Sequence, residues 1–403
     1  MGLGLLYLIS KGSENKYFTK DPQITFFKKV YRRHTNFSIE NVNQYFKTTA
    51  DFGRKVSVIV SKNADLIGMI YLNVKLPSIP IATHQSLPDN IKQFRWVDKI
   101  GLALIKSIDL EIGGILINRL YSDWLNIWNE LTIGYGNKRG YNNMIGNVKK
   151  LTEFSNGKDS YNLTIPINLW FTQESGLHLP ITALNYHNVK IDIEFNTFDK
   201  CYIETPNKYI TINEDFVLFN PNERIIQNIN GILNIGEFIY FDTFTKRLYY
   251  RQIKGTFETN TNYNIIGEDS NYNISIAANT IVVTDNYYNN IIPSLSDSYL
   301  MINYVYLDEA ERKYFNSNEH TYLIPLVENI TTQSISNNNF SYKLNIKNPV
   351  KLLVWRCILK DNINNNNMFD YSMYPIEKKN IIEKIKLYIN SVERTEIDDY
   401  QYY

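Results

Sequence analysis

Five histidines, two cysteines and scattered carboxylates are the groups in this 403-residue chain with chemistry to offer. His34, His84, His178, His187 and His320 show no His-x-x-x-His or comparable metal-ligand spacing, so they read as structural or surface residues. There is no nucleophile elbow, P-loop or dinucleotide fingerprint. The adjacent Gly113 and Gly114 read as a strand-end turn rather than a phosphate cradle. A glycosidase needs two carboxylates facing each other across a cleft, and the pair Asp398 and Asp399 near a ragged terminus does not suggest one. Cys201 and Cys357 lie in apolar contexts (KCYI and WRCIL) and are too few for a disulfide framework, which points to buried thiols in a reducing compartment. The expectation is a protein without catalytic residues, metal or cofactor.

Two further groups admit a binding reading beside a structural one. Lys28, Lys29, Arg32, Arg33 and His34 could meet phosphate or anionic lipid. The interleaved Ile24, Phe26, Phe27, Val30 and Tyr31 need burial, which favours a strand edge facing solvent or an interface. Trp124 and Trp128 could stack on sugar, but with Ile127 and Leu131 they fall at i, i+3, i+4 and i+7, the core face of a helix that Ser122 or Asp123 would cap. Forty-two Lys plus Arg against 41 Asp plus Glu gives a net charge of +1, far below what coating nucleic acid requires, so no direct nucleic-acid contact is expected. The apolar start MGLGLLYLIS is too short to span a bilayer, lacks a signal peptide's basic start, and has Leu6 where myristoylation wants Ser or Thr. A short arm that packs under the body of the protein or touches a membrane is the expectation there. The sequons at Asn36, Asn162, Asn273, Asn329 and Asn339 are what an Asn-rich chain produces by chance.

The elements that must position these residues are mostly strands. VSVIV (56–60), LIGMIYLNVKLP (66–77), LALIKSIDLEIGG (102–114), NLTIPINLWF (162–171) and VKIDIEF (189–195) are rich in Val, Ile, Tyr and Phe, and several alternate apolar with polar residues. In SIDLEI, Ile108, Leu110 and Ile112 share one face, and Ser107, Asp109 and Glu111 the other. Two helices interrupt them: SDWLNIWNELT, and LDEAERKYF with i, i+4 pairs Asp308–Arg312 and Glu309–Lys313 on an exposed face. Length alone suggests two domains, and the pattern lapses between 196 and 221. A weak repeat relates Ile108-Asp-Leu110-Glu-Ile112-Gly-Gly to Ile385-Lys-Leu387-Tyr-Ile389-Asn-Ser, an Arg following each. Much chain follows the first copy and little the second, so a second sandwich lacking its last strands is expected.

The stretch DPQITFFKKVYRRHTNFS (21–38) closely resembles the N-terminal signature of the double jelly-roll major capsid proteins of large eukaryotic DNA viruses. ADLIGMIYLNVKLP, IDLEIGG, WLNIWNELT, GLHLPITALNYHNVKIDIEF, YVYLDEAERKYF, HTYLI, NPVKLLVWR, FDYS and INSVERTE resemble later signatures in the same order. The signature residues carried over are Pro22, Gln23, Ile24, Thr25, Phe26, Phe27, Tyr31, Arg32, Arg33, Gly113, Gly114, Trp124, Trp128, Pro180, Asn348 and Pro349. The family's closing strand pair around a Pro-Ser-Gly turn is absent, which leaves two readings: a truncated or intron-split frame, or a divergent paralogue that does not assemble. The resemblance implies an all-β fold of two tandem eight-stranded jelly rolls, the second incomplete, with short helices in the connections. Its expected division is an arm (1–24), a first jelly roll (25–205) and a second (206–403). It also implies a structural role in an icosahedral virion, as a homotrimer that meets neighbouring capsomers and minor capsid proteins, sometimes above an internal membrane, assembled in the host cytoplasm. A carbohydrate-binding jelly roll on a virion surface is the alternative.

Overall fold

A computed structural model describes residues 35–81, 88, 91–284, 293–330, 334–335, 339–346, 348–373 and 381–397, with backbone only at 395–397. Ten strands come first: β1 (Phe37–Tyr45), β2 (Lys55–Ile59), β3 (Leu66–Leu76), β4 (Gln93–Trp96), β5 (Ile105–Ile112), β6 (Ile115–Tyr121), β7 (Tyr161–Pro166), β8 (Leu179–Pro180), β9 (Val189–Phe195) and β10 (Tyr202–Thr205). Then follow β11 (Lys208–Thr211), β12 (Arg224–Ile229), β13 (Ile232–Asp242), β14 (Arg247–Lys254), β15 (Ile265–Gly267), β16 (Asn273–Ile274) and β17 (Val283–Thr284). A long strand, β18 (Ser296–Leu307), and a last hairpin, β19 (Ile385–Ile389) with β20 (Val392–Ile397), complete the described set. The helices are short: α1 (Ile100–Ala103), α2 (Ser122–Thr132), α3 (Tyr135–Met144), α4 (Lys149–Thr152), α5 (Glu309–Ser317) and α6 (Lys360–Asn364).

Alternation builds the first body. In β3, Ile70, Leu72, Val74 and Leu76 turn inward and are buried, while Met69, Tyr71, Asn73 and Lys75 turn outward. In β9, Val189, Ile191, Ile193 and Phe195 do the same. One sheet runs β1-β18-β3-β7, with β8 also on β3, and the other β2-β9-β5-β6. Their inner faces close one apolar core, each fully buried Ile or Leu contributing about 2 kcal/mol. The main strands run up and down in turn and switch sheets at each connection except the β5–β6 hairpin, in the jelly-roll manner, so the connections alternate between the two ends. The long ones, 77–104, 122–160 and 196–295, therefore share one end and carry α1 to α4. The other end has 60–65, the two-residue turn at 113–114, and 167–188.

This topology corrects one expectation. The division at 205/206 assigns the YVYLDEAERKYF strand to a second sandwich, yet β18 lies in the first, in register with β1 on one side and β3 on the other. The intervening chain forms a sheet of its own, ordered β16-β15-β12-β13-β14-β11-β17, over a separate core that includes Ile210, Ile225, Phe238, Leu248 and Phe257. This inserted unit meets the sandwich where the guanidiniums of Arg95 and Arg251 both lie over the Phe154 ring, at 5.3 and 5.6 Å from its centre. Downstream of β18 the described residues hold α5, α6 and one hairpin. A second set of eight strands is not formed among them.

Two helices also differ in detail. In α2 the buried residues are Leu125, Asn126 and Asn129, whereas Trp124 and Trp128 are half-buried and Leu131 is 63% exposed. The polar side goes inward because it is hydrogen-bonded there: Lys99 Nζ reaches Asn126 Oδ1 (2.6 Å), and Asn168 Nδ2 reaches Asn129 Oδ1 (2.8 Å). The residue preceding α2 is Tyr121, with no side-chain cap from Ser122 or Asp123. In α5, Asp308 caps the first turn by accepting from the Glu309 backbone N–H, and Arg312 turns back to the sandwich instead of pairing along the helix.

Candidate assembly surfaces

The outer face of the β2-β9-β5-β6 sheet carries an ion ladder. Asp109 and Asp192 stand directly opposite each other in register and are each 3% exposed. Arg119, opposite Asp109 on β6, forks onto it with Nε–Oδ1 2.6 Å and Nη2–Oδ2 2.8 Å. Lys55 Nζ lies 3.3 Å from both carboxylates, and Lys190 Nζ sits 2.8 Å from Asp192 and 3.2 Å from Glu111. The Arg119 hydrogen bonds hold Asp109 below the usual carboxylate range. Burial pushes Asp192 up, but Lys190, Ser57 and Lys55 outweigh it and the net direction is down. Two facing carboxylates that shared one proton would have one value driven upward. Here Arg119, Lys55 and Lys190 draw both down, as in a structural ion network.

A second node explains why two distant signatures occur together. Asp65, from ADLIG at the start of β3, is buried; its carboxylate accepts the Leu307 backbone N–H (2.8 Å) and the Arg312 fork (2.9 and 3.1 Å). A third node gathers three more. The Arg356 guanidinium of NPVKLLVWR bonds Asp123 of α2 and lies 5.6 Å over the Tyr371 ring of FDYS, whose hydroxyl approaches Asn126 Nδ2 (3.5 Å). Burial raises Asp123 above its ordinary value despite that cation.

The signature residues fall in separate places. Pro22, Gln23, Ile24, Thr25, Phe26, Phe27, Tyr31, Arg32 and Arg33 lie outside the described residues, as do the arm, the basic run and His84. Gly113 and Gly114 form the β5–β6 turn at φ 61° and 80°; a Cβ on Gly113 would come within 2.6 Å of His187 Nδ1. That turn joins IDLEIGG to the segment containing His187. Trp124 and Trp128 stack at 5.7 Å on α2. Pro180 is buried in β8 opposite Leu66. Asn348 and Pro349 are exposed in the irregular run that leads to Arg356. Among the described residues no single pocket gathers them. Asp65 and Asp192 are positions that residue patterns alone did not single out, while Asp109 reads only as part of a polar strand face and Arg312 only as part of a helix pair. For the three aspartates the signal was a lone aspartate set among apolar strand residues, as in ADLI, SIDL and KIDI.

Among the described residues no trio of His, Cys, Asp or Glu is arranged to hold a metal ion, and no helix is long and apolar enough to cross a membrane. Cys201 is buried, which raises its thiol far above the ordinary value, and Cys357 is half-buried.

Comparison with known proteins gives a consistent set of relatives. A family model described as major capsid protein N-terminus matches residues 25–233. "Probable capsid protein 4" of Acanthamoeba polyphaga mimivirus is 36% identical over the whole of this chain and 83% of its own length. The "Major capsid protein" of Phaeocystis pouchetii virus is 31% identical over 88% of this chain and 58% of its own length. "Capsid protein 1" of the same mimivirus is 30% identical over 88% of this chain, which spans 48% of it. Among solved structures, a quasi-atomic model of the PBCV-1 virus capsid aligns with 75% of this chain and 50% of its own, at 22% identity and a TM-score of 0.44.

Proposed function

Because this chain belongs to the family of viral major capsid proteins, structural proteins rather than enzymes, we propose that it builds an icosahedral shell as a homotrimeric, pseudo-hexameric capsomer. The observation that carries the reading is the whole-chain likeness to a mimivirus capsid protein, set on a jelly roll whose long connections share one end. A sandwich with rigid walls and extensible loops at one end tiles without the loops disturbing the walls. Near-neutral net charge limits repulsion between packed copies. Neighbouring capsomers, minor capsid proteins and an underlying membrane are its proposed partners, with assembly in the host cytoplasm and residence in the virion. For Gly113, Gly114, Trp124, Trp128, Pro180, Asn348 and Pro349 we propose structural roles, in a turn, a helix flank, a sheet edge and an approach to Arg356.

Native mass spectrometry and negative-stain microscopy of the purified chain test this. Species of three chains with a six-sided outline support it, and a stable monomer overturns it. The stacked, half-exposed Trp124–Trp128 pair is the one feature that favours glycan binding. Glycan-array binding by a monomer, lost in W128A, would support that alternative.

A further inference from the structure

Little in the inserted sheet itself holds it to the sandwich. Among the described residues no strand of one pairs with a strand of the other. Pro206 and Asn207 alone separate β10, whose Tyr202 and Ile203 belong to the sandwich core, from β11 of the inserted sheet. At Phe154 two guanidiniums share one ring, and the charge of Arg251 disfavours that of Arg95. Two bodies joined in this way turn against each other unless something further holds them.

A loop from far downstream reaches the same junction. Its base stands on α2, through Arg356 on Asp123 and Tyr371 beside Asn126. It closes on itself: buried Asn362 donates from Nδ2 to the Asp370 carbonyl (2.9 Å), and the Asn367 backbone N–H donates to the Asn362 carbonyl (2.8 Å). The residues between serve both bodies. Toward the inserted unit, Asn365 Nδ2 donates to the Ile253 carbonyl of β14 (2.8 Å), and Asp361 Oδ1 accepts the Gly255 N–H (3.4 Å). Toward the sandwich, Asn366 Nδ2 donates to the carbonyls of Asp199 (2.6 Å) and Tyr202 (2.9 Å). Arg95 Nη2 reaches Asn367 Oδ1 at 3.5 Å. Asn366 sits at φ 60°, a left-handed position that asparagine tolerates better than most residues.

We propose that residues 361–367 are a latch that fixes the inserted unit in one orientation on the sandwich. With the latch open, the unit turns while both bodies stay folded, so the downstream chain governs how the unit is presented. Every bond of the latch lies within one chain, so it goes beyond the capsomer reading and does not depend on it.

The test compares full-length wild type, N365A/N366G and N364A by amide hydrogen exchange and small-angle X-ray scattering on species of matched mass. Glycine keeps the left-handed turn, so the double variant loses three side-chain hydrogen bonds without backbone strain. Amides of 199–207 and 251–255 should then exchange at least about tenfold faster, with β3, β9 and β13 at wild-type rates and a broadened interatomic distance distribution. N364A, a change at an exposed member of the same run, should match wild type. Wild-type exchange in the double variant, or an equal effect from N364A, overturns the latch. Acceleration spread equally through β3, β9 and β13 overturns it too, since the two asparagines would then serve folding in general. So does faster local exchange with unchanged scattering, which would mean a tie that does not set orientation. Because masses are matched, failure of the trimer reading leaves this test intact.

Discussion

The β5–β6 and β19–β20 hairpins are the same local object in two settings. Each joins its strands through two residues of positive φ, Gly113 and Gly114 (61° and 80°) in one, Asn390 and Ser391 (51° and 64°) in the other. Each also shifts register at the same place, after Leu110 and after Leu387. The repeat legible in the sequence is therefore a repeat of structure. The settings differ. Ile108 and Leu110 are fully buried on the inner face of a four-stranded sheet, whereas their equivalents Ile385 and Leu387 are only half-buried and Tyr388, Ile389 and Val392 are 48–56% exposed, and among the described residues β19 and β20 pair only with each other. The polar position after the first isoleucine differs as well: Asp109 carries the ion ladder, and its equivalent Lys386 pairs with Glu393 at 3.3 Å. Sequence grammar makes the hairpin; tertiary neighbours decide what it is worth.

The largest expected difference between them is in packing. L110A should destabilise the chain by about 3 kcal/mol in denaturant unfolding, and L387A by less than about 1 kcal/mol. Equal losses would mean that the second hairpin is buried as deeply as the first.

Next comes charge. D109N should cost about 2 kcal/mol at pH 7, since it leaves the Arg119 fork half made and exchanges a charge-assisted bond for a neutral one. The folded value of Asp109 lies below its ordinary 3.8. Its contribution is thus complete above about pH 4–5 and is lost as pH falls through the lower folded value. Wild type should lose stability across that acid window more steeply than D109N. Parallel profiles from pH 6 to pH 2 would show that the ladder contributes nothing, and K386A should leave the profile unchanged.

Backbone strain should give a smaller effect. G113A places a Cβ at positive φ against His187 and should cost about 1–2 kcal/mol. N390G relieves a residue already in the left-handed region and should change stability by only a few tenths of a kcal/mol. Differential scanning calorimetry on both distinguishes a pre-formed turn from one imposed by the sheet. A change of the same order as that of G113A belongs to R251A, which removes one cation from the Phe154 ring where the inserted unit meets the sandwich and leaves Glu237 without its Arg251 fork. It should cost about 1–2 kcal/mol, and a shift confined to the unfolding of the inserted sheet would mark that unit as separately cooperative.

Some misplacements in the sequence reading follow from the same division of labour. Helical spacing found α2 but chose its tryptophan ridge as the buried face, because periodicity registers apolarity and cannot register an amide network such as that of Asn126 and Asn129. The pairs expected within α5 were reasonable for an isolated helix. Asp65, more than two hundred residues earlier, offers Arg312 a buried fork that Asp308 cannot match. The YVYL strand reads the same whichever sheet receives it, so its place between β1 and β3 lay beyond any local pattern.

What the sequence by itself determined is therefore local and periodic: which stretches are strands, which face of each is apolar, where a turn needs positive φ, and which family the ordered signatures resemble. Side-chain alternation and backbone sterics act over a few residues, so they are written where they act. What only the tertiary structure decided is long-range. It sets β18 back in the first sandwich, brings Asp65 to Arg312 and Asp123 to Arg356, lays two aspartates side by side under three cations, and gives the 208–284 segment a core of its own. Those choices turn on which distant partner satisfies a buried charge or an open sheet position best, and that competition is settled only when the whole chain has folded.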